Sequence, residues 1–267
     1  MNEIKDNARN RIDKLFDEKK GNILSIYFTA GYPAPESTVP VIRALSAHGA
    51  DMIEIGVPFS DPVADGPAIQ QTNSRALANG ITLKKIFGQL EGIRDHTQTP
   101  LLLMSYLNPV LRYGMEAFCR DAARCGIDGA IIPDLPPAEY LEKYGTLFRR
   151  HGLKNIFLIT PQTPPGRIRY LDDHSEGFLY VVSSRSTTGA KERFSEEQTE
   201  YFRRLREMHL RNPLVAGFGI SNHTTFSQAC QWLDGAIVGS AYVKTLHQET
   251  DIEHTTASFL KTIRGTT

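Results

Sequence analysis

IEIGVPFSDPVADGP, residues 53–67, is the most informative stretch of the chain. It opens as a short apolar run broken by one carboxylate, then passes into a loop rich in proline, aspartate and glycine. From Pro67 it continues into a helical pattern through Ala68, Ile69 and Ala76. Side chains alternate along a strand, so Met52, Glu54 and Gly56 share one face and Ile53, Ile55 and Val57 the other. The branched aliphatic face suits a covering layer of helices. The strand, loop and helix together make one unit of a parallel α/β fold.

The same unit recurs on both sides. Strand candidates are Ile23–Thr29, Met52–Val57, Leu101–Tyr106, Gly129–Pro133, Asn155–Thr160, Gly177–Ser183, Pro213–Phe218 and Gly235–Val238. Helical stripes lie between them, such as Leu83, Ile86, Phe87, Leu90 and Ile93, and a helix from near Glu36 with Val39, Ile42 and Leu45 on one face. Alternation on this scale, in 267 residues without a linker or composition shift, predicts a single (β/α)8 TIM-barrel domain spanning 1–267. An open doubly wound sheet is the alternative, but no G-x-G-x-x-G follows the first strand, so its dinucleotide-binding form loses support. An additional N-terminal helix, from about Asn7 to Glu18, carries Ile12, Leu15 and Phe16 and is expected to cover the bottom of the barrel.

Composition narrows the function classes. Lysine plus arginine equals aspartate plus glutamate at 30 each, which gives no electrostatic reason to expect nucleic acid or an anionic membrane as partner. Cys119, Cys125 and Cys230 have no metal-ligand spacing, and their odd number argues against a disulfide framework. The charged N-terminus lacks a signal-peptide core, so the expected location is cytoplasmic.

Barrel enzymes carry their reactive groups at the carboxyl ends of the strands. There Glu54 points into the barrel mouth among apolar neighbours, either as a proton-transfer residue with a raised pKa or as half of an internal salt bridge. Asp65 stands before Gly66-Pro67, where it could cap the next helix or converge with Glu54 as an acid–base pair. Tyr180 either faces the mouth or fills the core. GFGIS (217–221) and VGSA (238–241) close the seventh and eighth strands with small residues, and Gly239 and Ser240 open a short helix from Ala241. That is the recurring phosphate site of these barrels, here expected to hold a phosphate monoester. SSRSTTGAKERF (183–194) has the length and composition of a lid, with a plain solvated loop as the alternative. No lysine lies at a predicted strand end, Lys154 preceding its strand, and no histidine is spaced as a metal ligand. Schiff-base and metal-dependent aldolase chemistry are therefore disfavoured, with no metal expected.

These motifs fall in the order found in the alpha subunit of tryptophan synthase, which the sequence closely resembles: YFTAGYP, IEIGVPFSDPVADGP, SYLNP, PDLP, TTGA, GFGIS and VGSA. The resemblance implies a lyase of L-tryptophan biosynthesis that cleaves indole-3-glycerol phosphate to indole and glyceraldehyde 3-phosphate. It implies Glu54 as acid–base residue and Asp65 as acceptor of the indole N–H. Tyr27, Tyr106 and Tyr180 would line the substrate pocket, Tyr180 also positioning Glu54, and Gly189, Gly219, Gly239 and Ser240 would cradle the phosphate. It further implies a pyridoxal-phosphate beta subunit, in an alpha2–beta2 complex, met through Pro58, Asp61 and Asn108; the cofactor would belong to that partner and none to this chain. Where the family's lid reads Gly-Val-Thr-Gly, this chain has Ser186, Thr187, Thr188 and Gly189, a departure that bears on lid closure and coupling. The competing readings are a free-standing indole-releasing lyase, another phosphate-binding barrel isomerase or synthase, and a non-catalytic regulatory subunit.

Overall fold

The computed structural model describes residues 9–182, 193–217, 219–248 and 251–266. Eight parallel strands close into a barrel in chain order: β1 (Ile23–Thr29), β2 (Met52–Gly56), β3 (Leu101–Met104), β4 (Gly129–Ile131), β5 (Lys154–Ile159), β6 (Leu179–Val182), β7 (Leu214–Gly217) and β8 (Gly235–Val238). Closure comes from β8 pairing with β1, Ile23 opposite Gly235 and Ile26 opposite Val238.

Every predicted run but the fifth contains its strand, trimmed in most cases where loops turn away. Val57 falls outside β2, although its N–H still donates to the Met104 carbonyl at 2.8 Å. β5 begins one residue earlier than expected and takes in Lys154, whose ammonium pairs with Asp13 at 3.0 Å. This corrects its placement before the strand, yet keeps the amine at the amino end, far from where a Schiff base would be needed.

The helices follow their stripes. Leu83, Ile86, Phe87, Leu90 and Ile93 are all buried, and helix Thr38–Ala47 buries Val41 together with Ile42 and Leu45. Helix Pro67–Ala78 starts on a proline at its first position, where the missing N–H would have had no partner. The amino-terminal helix runs over Arg11–Glu18, later than expected because Asn10 is extended and accepts from the Ile12 N–H as its cap. Its Nδ2 also donates to the carbonyls of Asp128 (2.8 Å) and Gly152 (2.9 Å), and Ile12 is fully buried, so this helix does cover the amino ends of β4 and β5. No helix among the described residues is long and apolar enough to cross a membrane.

At the bottom, one device recurs. Asp51, Asp128 and Asp234 each stand immediately before an even-numbered strand. Each accepts the N–H near the start of the preceding strand: Leu24 of β1, Leu101 of β3 and Leu214 of β7, all at 2.8 Å. Asp128 also holds Arg94 (2.6 Å) and Arg11 (3.1 Å), while Asp51 holds Lys19 (2.6 Å) and Arg264 (2.5 Å). Acids at this end are thus satisfied by amides and cations, as a structural end requires.

Candidate active site

The carboxylates at the other end are built differently. Glu54 lies on β2 opposite Tyr27 of β1 and is completely buried. Its Oε1 accepts from Ser25 Oγ at 2.9 Å, and its Oε2 has no partner. No cation pairs with it among the described residues, so the salt-bridge reading fails. Burial disfavours the charged form and pushes its pKa to about 8, against the opposing hydrogen bond from Ser25.

Asp65 does not cap the helix that follows: Gly66 occupies the cap position, without a side-chain hydrogen bond. Instead its backbone organises the loop, the N–H donating to Pro62 and the carbonyl accepting from Gln70 Nε2 at 2.9 Å. The carboxylate is left to meet Tyr106, whose Oη donates to Oδ2 at 3.3 Å. That hydroxyl also accepts the Ala64 N–H at 2.9 Å, and the Tyr106 ring stacks on Phe59 with centroids 5.0 Å apart. The β3 end thereby holds the β2 loop at three points. Burial raises the Asp65 pKa to about 6, moderated by the Tyr106 hydrogen bond.

Tyr27 and Tyr180 complete the group. Both phenols are buried and held un-ionised, first by desolvation and then by the nearby Glu54 and Asp65 charges. Each ring leans over a glycine of the next strand. A Cβ on Gly56 would lie 2.2 Å from Tyr27 Oη, and one on Gly217 would lie 2.2 Å from Tyr180 Oη. Any larger residue there would displace an aromatic wall. Behind Tyr27, Thr29 Oγ1 is 3.4 Å from its hydroxyl and 2.6 Å from Thr72 Oγ1, linking the pocket to helix Pro67–Ala78.

Gly239 sits against this wall, a Cβ there being 3.4 Å from the Tyr27 ring. It precedes helix Ser240–Gln248, one residue longer at its start than predicted, whose first-turn amides lack helical acceptors. Gly219, after the adjacent β7, takes a left-handed φ of +78° that only glycine adopts freely. Gly189 and the predicted lid substitutions Ser186 and Thr187 lie outside the described residues. Of the predicted partner contacts, Asp61 and Asn108 are exposed, whereas Pro58 is buried. Beside Asp61, Val63 is 85% exposed.

Ser25 and Thr72 went unread in the sequence, and Gly56 and Gly217 were read for their places on the strands without the aromatic rings that lean over them. The available signal for Ser25 was its place in the inward series Ser25, Tyr27, Thr29, a buried hydroxyl among apolar neighbours. A cavity of ≈ 800 Å³ lies at the opposite end of the barrel, lined by Arg11, Lys14, Asp128 and Lys154 among others. Arg11 and Lys154 are paired there with Asp128 and Asp13, and neither buried carboxyl of the mouth borders it.

Known proteins share this fold and much of this sequence. A family model described as tryptophan synthase alpha chain matches residues 13–266. The tryptophan synthase alpha chain of Bacteroides thetaiotaomicron is 52% identical over 244 residues, covering 91% of this chain and 95% of that relative. That of Flavobacterium psychrophilum is 54% identical over 237 residues, covering 89% and 93%. The crystal structure of the alpha chain from Legionella pneumophila subsp. pneumophila superposes with a TM-score of 0.86 at 34% identity, covering 97% of both chains.

Proposed function

The chain belongs to the tryptophan synthase alpha-chain family, and on that premise we propose that Glu54 and Asp65 divide the proton transfer and charge stabilisation of its reaction. It is a carbon–carbon lyase of L-tryptophan biosynthesis, cleaving indole-3-glycerol phosphate to indole and glyceraldehyde 3-phosphate beside a tryptophan synthase beta subunit. A free-standing lyase is not favoured.

The observation that carries the division of labour is the contrast between a completely buried Glu54 whose Oε2 has no partner and an Asp65 held by the Tyr106 hydroxyl, which sets their pKa values apart at about 8 and about 6. Near neutral pH Glu54 is therefore a neutral acid and Asp65 an anion. Glu54 gives its proton to C3 of the indole, leaving an indolenine whose positive charge at nitrogen is stabilised by the Asp65 carboxylate. The Glu54 carboxylate then takes the proton of the side-chain C3′ hydroxyl. That oxygen forms the aldehyde C=O, the C3–C3′ bond breaks, and its electron pair returns to the ring through the C=N acceptor. The acid is regenerated, and the substrate supplies its own electron sink.

Tyr27, Tyr106 and Tyr180 line the indole end, Tyr180 also packing beside Glu54, and Gly219, Gly239 and Ser240, with Gly189, take the phosphate. First-turn amides of helix Ser240–Gln248 suit that anion. The contact with the beta subunit runs through Asp61 and Asn108, both exposed, and through Pro58, which this structure buries. No cofactor enters the cleavage, pyridoxal phosphate being the partner's, and the free thiols of Cys119, Cys125 and Cys230 suit a cytoplasmic location.

Glu54→Gln and Asp65→Asn test the assignment. Each should lower the rate of indole release by about a hundredfold or more, with circular dichroism unchanged. A parental rate in either variant removes that residue from the mechanism.

A further inference from the structure

We propose that Ser25 is a positioning residue whose hydroxyl decides which oxygen of Glu54 carries the exchanged proton. The inference rests on Glu54 being the acid–base residue.

Ser25 and Tyr27 project from the same face of β1, and the register sets Ser25 opposite Met52 and Tyr27 opposite Glu54. Ser25 is thus one step nearer the amino end of the barrel than Glu54, and it meets the carboxyl from below. It is fully buried, as is Glu54, so water does not compete for the 2.9 Å bond between them. Among the described residues, the titratable groups that feel the charge of Glu54 are Tyr27 on β1 and Tyr180 on β6, neither of them a cation.

A neutral carboxyl has one carbonyl oxygen, which accepts, and one hydroxyl, which donates. Donation from Ser25 makes Oε1 the carbonyl oxygen and leaves the proton on Oε2. That is the oxygen without a protein partner despite complete burial. A buried polar atom left open in this way points to use by a ligand. When Oε2 gives its proton to carbon, both oxygens become acceptors and the Ser25 bond persists, stronger for the added charge. The proton of the C3′ hydroxyl can then return to Oε2. One oxygen serves both transfers, and the carboxyl need not rotate between them.

The test compares Ser25→Ala, which deletes the donor, with Ser25→Thr, which keeps it, in the full chain with Glu54→Gln as reference. Ser25→Ala should lower kcat about tenfold and change KM less than about twofold, since the bond acts on the reacting group and not on substrate binding. Activity needs protonated Glu54 and is lost as pH rises through its pKa. Deleting a donor that favours the carboxylate raises that pKa, so the alkaline limb of kcat/KM should move up by about one pH unit. Difference infrared spectra give a readout independent of turnover. The protonated carboxyl C=O stretch that disappears in Glu54→Gln should move to higher frequency in Ser25→Ala and return in Ser25→Thr. An unshifted band with an unshifted limb in Ser25→Ala overturns the proposal, as does Ser25→Thr being equally impaired. A Glu54→Gln variant that cleaves at the parental rate overturns instead the role of Glu54, even where the infrared band responds to Ser25.

Discussion

Replacing Glu54 by glutamine should make the protein's stability less sensitive to alkali, by an amount that follows from the burial of the carboxyl. In the unfolded chain this group ionises at its ordinary value of 4.5, and in the folded protein at about 8. Between those values the folded state holds a proton that the unfolded state has released. Stability therefore falls as pH rises, by up to about 1.4 kcal/mol per unit, and levels off above the folded pKa. From pH 6 to pH 8 the loss from Glu54 alone is about 2 kcal/mol. Asp65 moves only from 3.8 to about 6, so most of its contribution is complete by pH 6 and it adds a few tenths of a kcal/mol over the same interval. Glutamine does not titrate. Urea unfolding of both proteins at pH 6, 7 and 8 should show the difference between them moving in favour of Glu54→Gln by about 2 kcal/mol across the range. Parallel stability curves would refute the argument, because they would mean that Glu54 is already ionised in the folded protein at pH 6. The same burial that prepares the acid for proton transfer would then be absent.

Gly56→Ala should lower lyase activity about a hundredfold and destabilise the fold by about 1–3 kcal/mol, because the new methyl would lie 2.2 Å from Tyr27 Oη and 2.5 Å from Cζ. Adding Tyr27→Ala to this variant should recover part of the stability measured by urea; a single variant with parental kinetics and stability would show that the ring has room to move. Asp128→Ala should destabilise by about 3–5 kcal/mol, since it strands the largely buried Arg94 guanidinium and the Leu101 N–H. Thermal unfolding should report that loss while the folded fraction keeps its indole-release rate, and an unchanged midpoint would show that the bottom clamp is dispensable.

Much of the barrel was legible because its signals are local. A strand shows itself by short apolar runs and alternation, and a helix by its stripe, each within one turn or one strand. Errors were confined to ends, as at Lys154 and Asn10, where a cap or an ion pair made elsewhere in the fold decides the boundary. The small residues after β7 and β8, proposed to take the phosphate, were readable for the same reason, since they stand at predicted strand ends.

The carboxylates mark the limit of that reading. Local pattern determined that Glu54 faces inward and that Asp65 ends a tight loop. Residue type does not separate Asp65 from Asp51, Asp128 and Asp234; its place after a strand, where theirs is before one, says which end of the barrel it occupies but not what surrounds it. Tertiary structure decided their fates, because register and closure bring amides and cations to the three at the bottom and, among the described residues, hydroxyls and aromatic rings to the pair at the mouth. Ser25 reaches Glu54 across 29 residues and Tyr106 reaches Asp65 across 41, distances over which no periodicity carries information. A pKa depends on every group within a few ångströms, and which groups those are is settled only when the barrel closes.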